Sequence, residues 1–249
     1  MQKVEAILER ERLQSEERMN KRIEEMQGFI FSLGHDLRSP IVTIKTFLGY
    51  LTRDMADNDK ESVANDLGFI ESATDKIESM LECILDYSRV GRLVGDPIPV
   101  TFQEIIREAQ IATAGKIFQR RIEFRVIEAE EVLFGDRHRL SQIWQNLIDN
   151  AAKYMGEQKE PCIEVGVEKN EGADIIFFVR DNGIGIDPSQ KERIFNLFSQ
   201  LDSKSEGIGF GLALVKRIVD LYGGKIWAES EGLGKGACFR FTLPKATRS

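Results

Sequence analysis

The sequence predicts an α+β protein in two parts: an antiparallel helical hairpin in the N-terminal third and a layered α/β domain in the rest. Three observations carry that expectation. Apolar residues step by three and four along two successive stretches, Met19 to Leu51 and Val63 to Ile84; the Gly- and Pro-bearing stretch Gly91 to Pro99 interrupts them; and beyond it helical periodicity alternates with short β-branched and aromatic runs. A chain of 249 residues also exceeds the usual size of one domain.

Residues 1–28 hold six basic and seven acidic side chains with no Pro and no Gly before Gly28, the composition of a solvated helix. From Met19 the marks become regular, and Met19, Ile23, Met26, Ile30, Leu33 and Leu37 form the a/d seam of a coiled coil that Ile44 and Leu51 continue. Pro40 predicts a local kink, because proline removes a donor and crowds the preceding turn. The polar cluster Asp54 to Lys60 predicts a turn, and Val63, Leu67, Ile70, Thr74, Ile77, Leu81 and Ile84 mark a second helix to about Tyr87. A lone hairpin cannot bury both stripes, whereas two hairpins face to face make a dimeric four-helix bundle. The expected organisation is a signalling coiled coil at 1–28, a dimerisation domain at 29–92 and a catalytic domain at 93–249. In the last, helices are expected at about 101–119, 138–154, 189–199 and 210–222, with strands at Ile163–Val167, Ile175–Val179 and Phe239–Leu243 spaced for a mixed sheet.

Composition narrows the function. A net charge of −7 argues against nucleic acid as a partner. Cys83, Cys162 and Cys238 are odd in number and far apart, which supports neither a disulfide framework nor a zinc site and fits a reducing cytoplasm. No apolar run approaches the roughly 20 residues a membrane helix needs, so the expectation is a cytoplasmic chain or the cytoplasmic piece of a membrane-bound sensor.

Four constellations carry chemistry. His35 lies two residues from the seam positions Leu33 and Leu37 and so is expected to face solvent; a neutral imidazole there is a nucleophile, and a carboxylate accepting its second N–H stabilises the cation formed on attack. Asn146, Asn150, Lys153 and Tyr154 fall on one helix side, where amides suit Mg²⁺ and an ammonium suits phosphate. Asp181, followed by Gly183 and Gly185, ends a strand; its carboxylate can accept from an adenine amino group while the glycines let backbone approach the base. Gly207, Gly209 and Gly211 open a helix, offering free N–H groups and a favourable dipole to phosphates. A dinucleotide fold fails on context, because no strand leads directly into these glycines.

The stretch Phe31 to Pro40, with His35-Asp36-Leu37-Arg38-Ser39-Pro40, resembles the H-box of sensor histidine kinases. Asn146 to Tyr154 resembles the N-box, Asp181 to Ile186 the G1 box, Arg193 to Gln200 the F-box and Gly207 to Leu212 the G2 box, all in the family's order. The resemblance implies a Bergerat-type α/β sandwich, ATP and Mg²⁺ as cofactors, a homodimer, an upstream sensor domain, and the receiver domain of a response regulator as phosphoryl acceptor. It assigns His35 as the phosphorylated residue and Asp36 as its base, Asn150 as Mg²⁺ ligand with Asn146 assisting, Lys153 to phosphate, Tyr154 along the nucleotide and Asp181 to adenine. Ser39, one turn after His35, stands where relatives carry a residue of phosphatase activity. Two other classes compete: a hydrolytic ATPase of the same superfamily, which the H-box and heptad hairpin oppose, and a nucleotide-binding scaffold, for which degraded boxes would be the cue.

Overall fold

The computed structural model describes residues 12, 28, 30, 31, 33, 34, 36–89, 97–127, 129–168, 174–191, 193–196 and 210–244. By its contacts the chain divides into two units, Met1–Leu81 and Glu82–Ser249. His35, the seam positions Met19 to Met26, Gly207, Gly209, Gln200 and Lys204 lie outside the described residues.

In the first unit, helix α1 is continuous through residues 36–56, Pro40 included, and helix α2 spans Lys60–Arg89. The turn between them places Asn58 at φ 57°, a left-handed position that Asn tolerates. Asp59 caps α2, accepting from the Ser62 amide at 3.2 Å and its hydroxyl at 2.8 Å. The rings of Phe47 and Phe69 stack at 4.3 Å, while Ala73 and Met80 are buried. Each helix splits its apolar residues in two. Leu37, Ile44 and Leu51 are half-buried, as are Val63, Ile70, Ile77 and Ile84, whereas Ile41, Leu48 and Met55 on α1 and Leu67 and Leu81 on α2 remain exposed at multiples of seven residues.

In the second unit, strand β1 (Ile98–Thr101) pairs antiparallel with β3 (Val132–Gly135). The five-stranded sheet runs β2 (Glu123–Val126), β4 (Cys162–Glu168), β5 (Asp174–Asp181), β7 (Ala237–Pro244), β6 (Ile226–Glu229). Only β2–β4 is parallel, so the sheet is mixed as expected. Helices α3 (Phe102–Gln119), α4 (Arg137–Lys153) and α5 (Gly211–Leu221) complete an α/β sandwich whose shared core holds residues from all three helices and the sheet. Trp144 of α4 sits at its centre, ring centroids 5.3 Å from Phe177 and 5.0 Å from Phe241.

Local chemistry sets the helix starts. Thr101 and Glu104 form a capping box at α3, and the Asp136 carboxylate accepts from the Arg139 amide at α4. Gly135 precedes that cap because a Cβ there would stand 2.6 Å from the Tyr222 hydroxyl, which accepts from the Asp136 amide at 2.9 Å and ties the start of α4 to the end of α5.

The helix expected at 189–199 is a correction. The described residues there form two 3-10 turns, Pro188–Gln190 and Arg193–Phe195. Asp187 accepts from the Ser189 amide and hydroxyl at 2.8 and 2.6 Å, and Asn196 donates to Arg193 O, so bonding closes over three residues and does not propagate. Phe195 is buried, with its ring 6.3 Å from that of Phe239, which is a packing role.

Candidate nucleotide-binding site

Along α4, Leu147, Ile148, Ala151 and Ala152 are buried, while Asn146, Asn150, Lys153 and Tyr154 form a half-buried stripe beside them. Asn146 is the best defined. Its Nδ2 donates to Gln142 O at 2.8 Å, so its Oδ1 points the other way, toward Gly211 at the start of α5. A Cβ on Gly211 would stand 2.8 Å from that oxygen. The last glycine of the second glycine-rich motif and the first asparagine of α4 are therefore neighbours. The Lys153 ammonium lies 4.7 Å from the centroid of the Tyr154 ring, and Arg120 donates to Lys153 O at 3.2 Å, tying the end of α4 to α3.

Asp181 closes β5 and is 8% exposed. Its Oδ1 accepts from the amides of Gly183 at 2.9 Å and Ala237 at 3.2 Å, and among the described residues nothing donates to Oδ2. Burial pushes the carboxyl up to about 6, with the two amides pulling it down. The adjoining glycines are required sterically. A Cβ on Gly183 would lie 2.3 Å from Tyr154 O, and Gly185, at φ 73°, would place one 2.1 Å from Gly232 O. Ile184 donates to Tyr154 O at 3.0 Å, joining this loop to the end of α4. Asn182 does not turn toward a ligand: it accepts from Cys162 N and donates to Glu160 O, fastening the loop to β4.

Sequence reasoning missed the β6–β7 loop that covers this turn. Gly234 donates to Ile184 O and Gly236 to Gly183 O at 2.6 and 3.1 Å. The Ser230 hydroxyl accepts from Ile186 N at 3.1 Å and bonds Gly236 O at 2.7 Å, while Lys191 donates to Ser230 O at 2.8 Å. The signal was present as Ser230-Glu231-Gly232-Leu233-Gly234-Lys235-Gly236, three glycines in five residues. Asp36 and Leu37 are half-buried, Ser39 exposed and His138 exposed.

Residues 135–247 match the family of histidine kinase-, DNA gyrase B-, and HSP90-like ATPases. Over most of its length the chain is similar to histidine kinases. It is 46% identical over 220 residues to the methanogenesis regulatory histidine kinase FilI of Methanothrix harundinacea, which covers 88% of this chain and 25% of that protein. Cyanobacterial phytochrome B of a Nostoc species is 32% identical over 223 residues, 88% of this chain and 29% of its own length. The chain thus spans between a quarter and a third of the length of these two relatives. Among solved structures, full-length ShkA in complex with AMPPNP superposes with a TM-score of 0.61 at 26% identity, over 84% of this chain and 47% of that one. The histidine kinase ThkA in complex with response regulator protein TrrA gives a TM-score of 0.72 at 23% identity, over 91% of this chain and 64% of that chain, a likeness of fold.

Proposed function

We propose that this chain is an ATP-dependent protein histidine kinase that phosphorylates His35 and passes the phosphoryl group to an aspartate of a response regulator. The observation that carries the reading is the joining of three separately coded boxes at one place: Gly211 against Asn146, the Gly183 turn against Tyr154, and Asp181 with one carboxylate oxygen left for a ligand.

Asp181 Oδ2 accepts from the adenine amino group, and the backbone at Gly183 and Gly185 lies where a flat base stacks. Lys153 draws the phosphates along α4, with Tyr154 beside the nucleotide. Among the described residues no cluster of three or more His, Cys, Asp or Glu could hold a metal, so a divalent cation would rest on the Asn150 amide oxygen, with Asn146 adjacent, and on nucleotide oxygens and water. When bound, Mg²⁺ neutralises charge on the phosphates. One imidazole nitrogen of His35 attacks the γ-phosphorus, the N–P bond forms, and the bond to the β,γ-bridging oxygen breaks with its electron pair leaving on ADP. Asp36 takes the proton from the other ring nitrogen. A receiver carboxylate then attacks that phosphorus, the new O–P bond forms as the N–P bond breaks, and the imidazole leaves with the electron pair and takes up a proton. Ser39, exposed on α1, would orient water for dephosphorylation of the regulator, a role that Ser39→Ala would impair.

The exposed heptad positions Ile41, Leu48, Met55, Leu67 and Leu81 support a homodimer in which a second hairpin covers them. Residues 1–28 would continue as a coiled coil from an upstream sensor domain, and the location would be cytoplasmic; no helix among the described residues is long and apolar enough to cross a membrane.

Incubation with γ-labelled ATP and Mg²⁺ is expected to leave label that survives alkali and is lost in acid. His35→Gln should abolish it while nucleotide still binds, and Asn150→Ala should abolish it with the fold intact. Label persisting in His35→Gln, or turnover of ATP without retained label, would replace the kinase with a hydrolytic ATPase.

A further inference from the structure

Along α2 the residues most deeply buried recur at intervals of seven, Asp66, Ala73 and Met80. A seam of this kind calls for apolar side chains, and Ala73 and Met80 supply them. Asp66 does not. It is 6% exposed, and its Oδ2 is sealed from solvent with no hydrogen-bond donor among the described residues. The other buried acid of the hairpin, Asp54 on α1, is answered by a cation, accepting from Arg53 Nε at 2.9 Å.

A carboxyl buried without a partner opposes the packing that buries it. An atom that water cannot touch is equally out of reach of a second copy of the chain, so association of two hairpins leaves Asp66 Oδ2 as it is. It gains partners only when the helices part around it. Asp66 sits in the second turn of α2, so the stretch it weakens is the end of the hairpin nearest the turn at Asn58.

Backbone chemistry weakens the same stretch independently. Gly49 lies inside α1 and Gly68 inside α2, where glycine gives up more conformational freedom on folding than any other residue. Neither is demanded by space or by backbone geometry: a Cβ on either meets nothing within 4 Å, and neither has a left-handed φ. Gly135, Gly183 and Gly224 differ in this respect, since a Cβ there would run into Tyr222, Tyr154 O and Thr242 O. The stacked rings of Phe47 and Phe69 mark the base of the weak stretch, and beyond them Ile70, Ala73, Ile77 and Met80 continue the seam without a polar interruption.

We propose that residues 49–68 form a tip that opens and closes while the hairpin below Phe47 and Phe69 stays formed. The tip gives α1 and α2 a second arrangement, and a signal arriving along α1 can bias the choice between the two. Residue-resolved amide exchange on the full chain tests this. Amides at 50–54 and 64–68 are expected to exchange about tenfold or more faster than those at 73–80. Asp66→Leu, which fills the seam with an apolar side chain of similar size, should slow exchange in the tip by about tenfold. Gly49→Ala combined with Gly68→Ala should slow it by about tenfold through the backbone alone, since both new methyls enter open space. Exchange at 73–80 should stay within about twofold in every variant. The proposal is overturned if the tip exchanges no faster than 73–80, or if Asp66→Leu speeds exchange in the tip. It is also overturned if the glycine pair leaves the tip unchanged, or if the variants slow 73–80 as much as the tip, since the hairpin then opens as one piece.

Discussion

Asp181 shows how one side chain couples binding to pH. An acid whose carboxyl is raised to about 6 by burial holds more proton folded than unfolded between about pH 4 and pH 6. The contribution of Asp181 to the stability of the ligand-free protein should therefore be greatest at the acid side of that window and fall by up to about 3 kcal/mol as pH rises through it. Nucleotide affinity runs the opposite way. With Oδ1 taken by two amides, a proton on Oδ2 weakens it as an acceptor and puts a second donor opposite the adenine amino group, so a fluorescent nucleotide should bind more weakly as pH falls through about 6, and Asp181→Asn should bind weakly with no such dependence. An unchanged slope in Asp181→Asn would remove Asp181 from adenine recognition. Gly211 offers a second test at this scale. The atom a Cβ would strike is the far end of the Asn146 side chain, which can swing aside, so Gly211→Ala should keep its fold and melting temperature but lose most phosphorylation through a displaced Asn146. At Gly183 the obstacle is backbone, and the same substitution there should destabilise the domain itself.

Among the elements, the β6–β7 loop does most to shape the site without contributing one of the family's boxes. Ser230 holds it to the turn after β5, and through Lys191 to the 3-10 turn that leads toward the F-box. Ser230→Ala removes the acceptor of Ile186 N, and a buried amide left without a partner costs about 1–3 kcal/mol. Faster amide exchange at Ile186 and weaker nucleotide binding are expected together; faster exchange with unchanged binding would make the loop purely structural. The 3-10 turns carry the same lesson about local signals. The pattern from Ser189 to Ser199 reads as a helix because Ile194, Phe195 and Phe198 are spaced for one, yet Asp187 spends its carboxylate on Ser189 and the chain turns toward Phe239 instead.

At the scale of the whole molecule, the hairpin of α1 and α2 leaves half of each apolar stripe in water. Leu81 is 52% exposed and Leu67 50%, and they lie fourteen residues apart on one face of α2. Leu81→Glu should lower dimer affinity in sedimentation by at least tenfold, whereas a comparable change at Leu233, 70% exposed on the β6–β7 loop, should leave assembly unchanged. A wild-type chain that sediments as a monomer at micromolar concentration would defeat the bundle.

Sequence alone determined the two-part architecture, the heptad hairpin with its turn near Asn58, the mixed sheet, and the order of boxes from His35 to Gly211, because heptads, caps and glycine turns are written in residues close together along the chain. Tertiary structure decided the rest. The second amide on Asp181 comes from Ala237 and the cover of the Gly183 turn from Gly234 and Gly236, set by the pairing of β5 with β7, while the neighbour of Asn146 is Gly211, set by the packing of α4 against α5. Strands β1, β2, β3 and β6 escaped notice for the same reason: each is four residues long, too short for a period of two to stand out, and gains its identity from the partner it bonds. A sheet joins residues through hydrogen bonds between distant segments, so which loops meet at its ends is a property of the packed sheet and of no single stretch of chain.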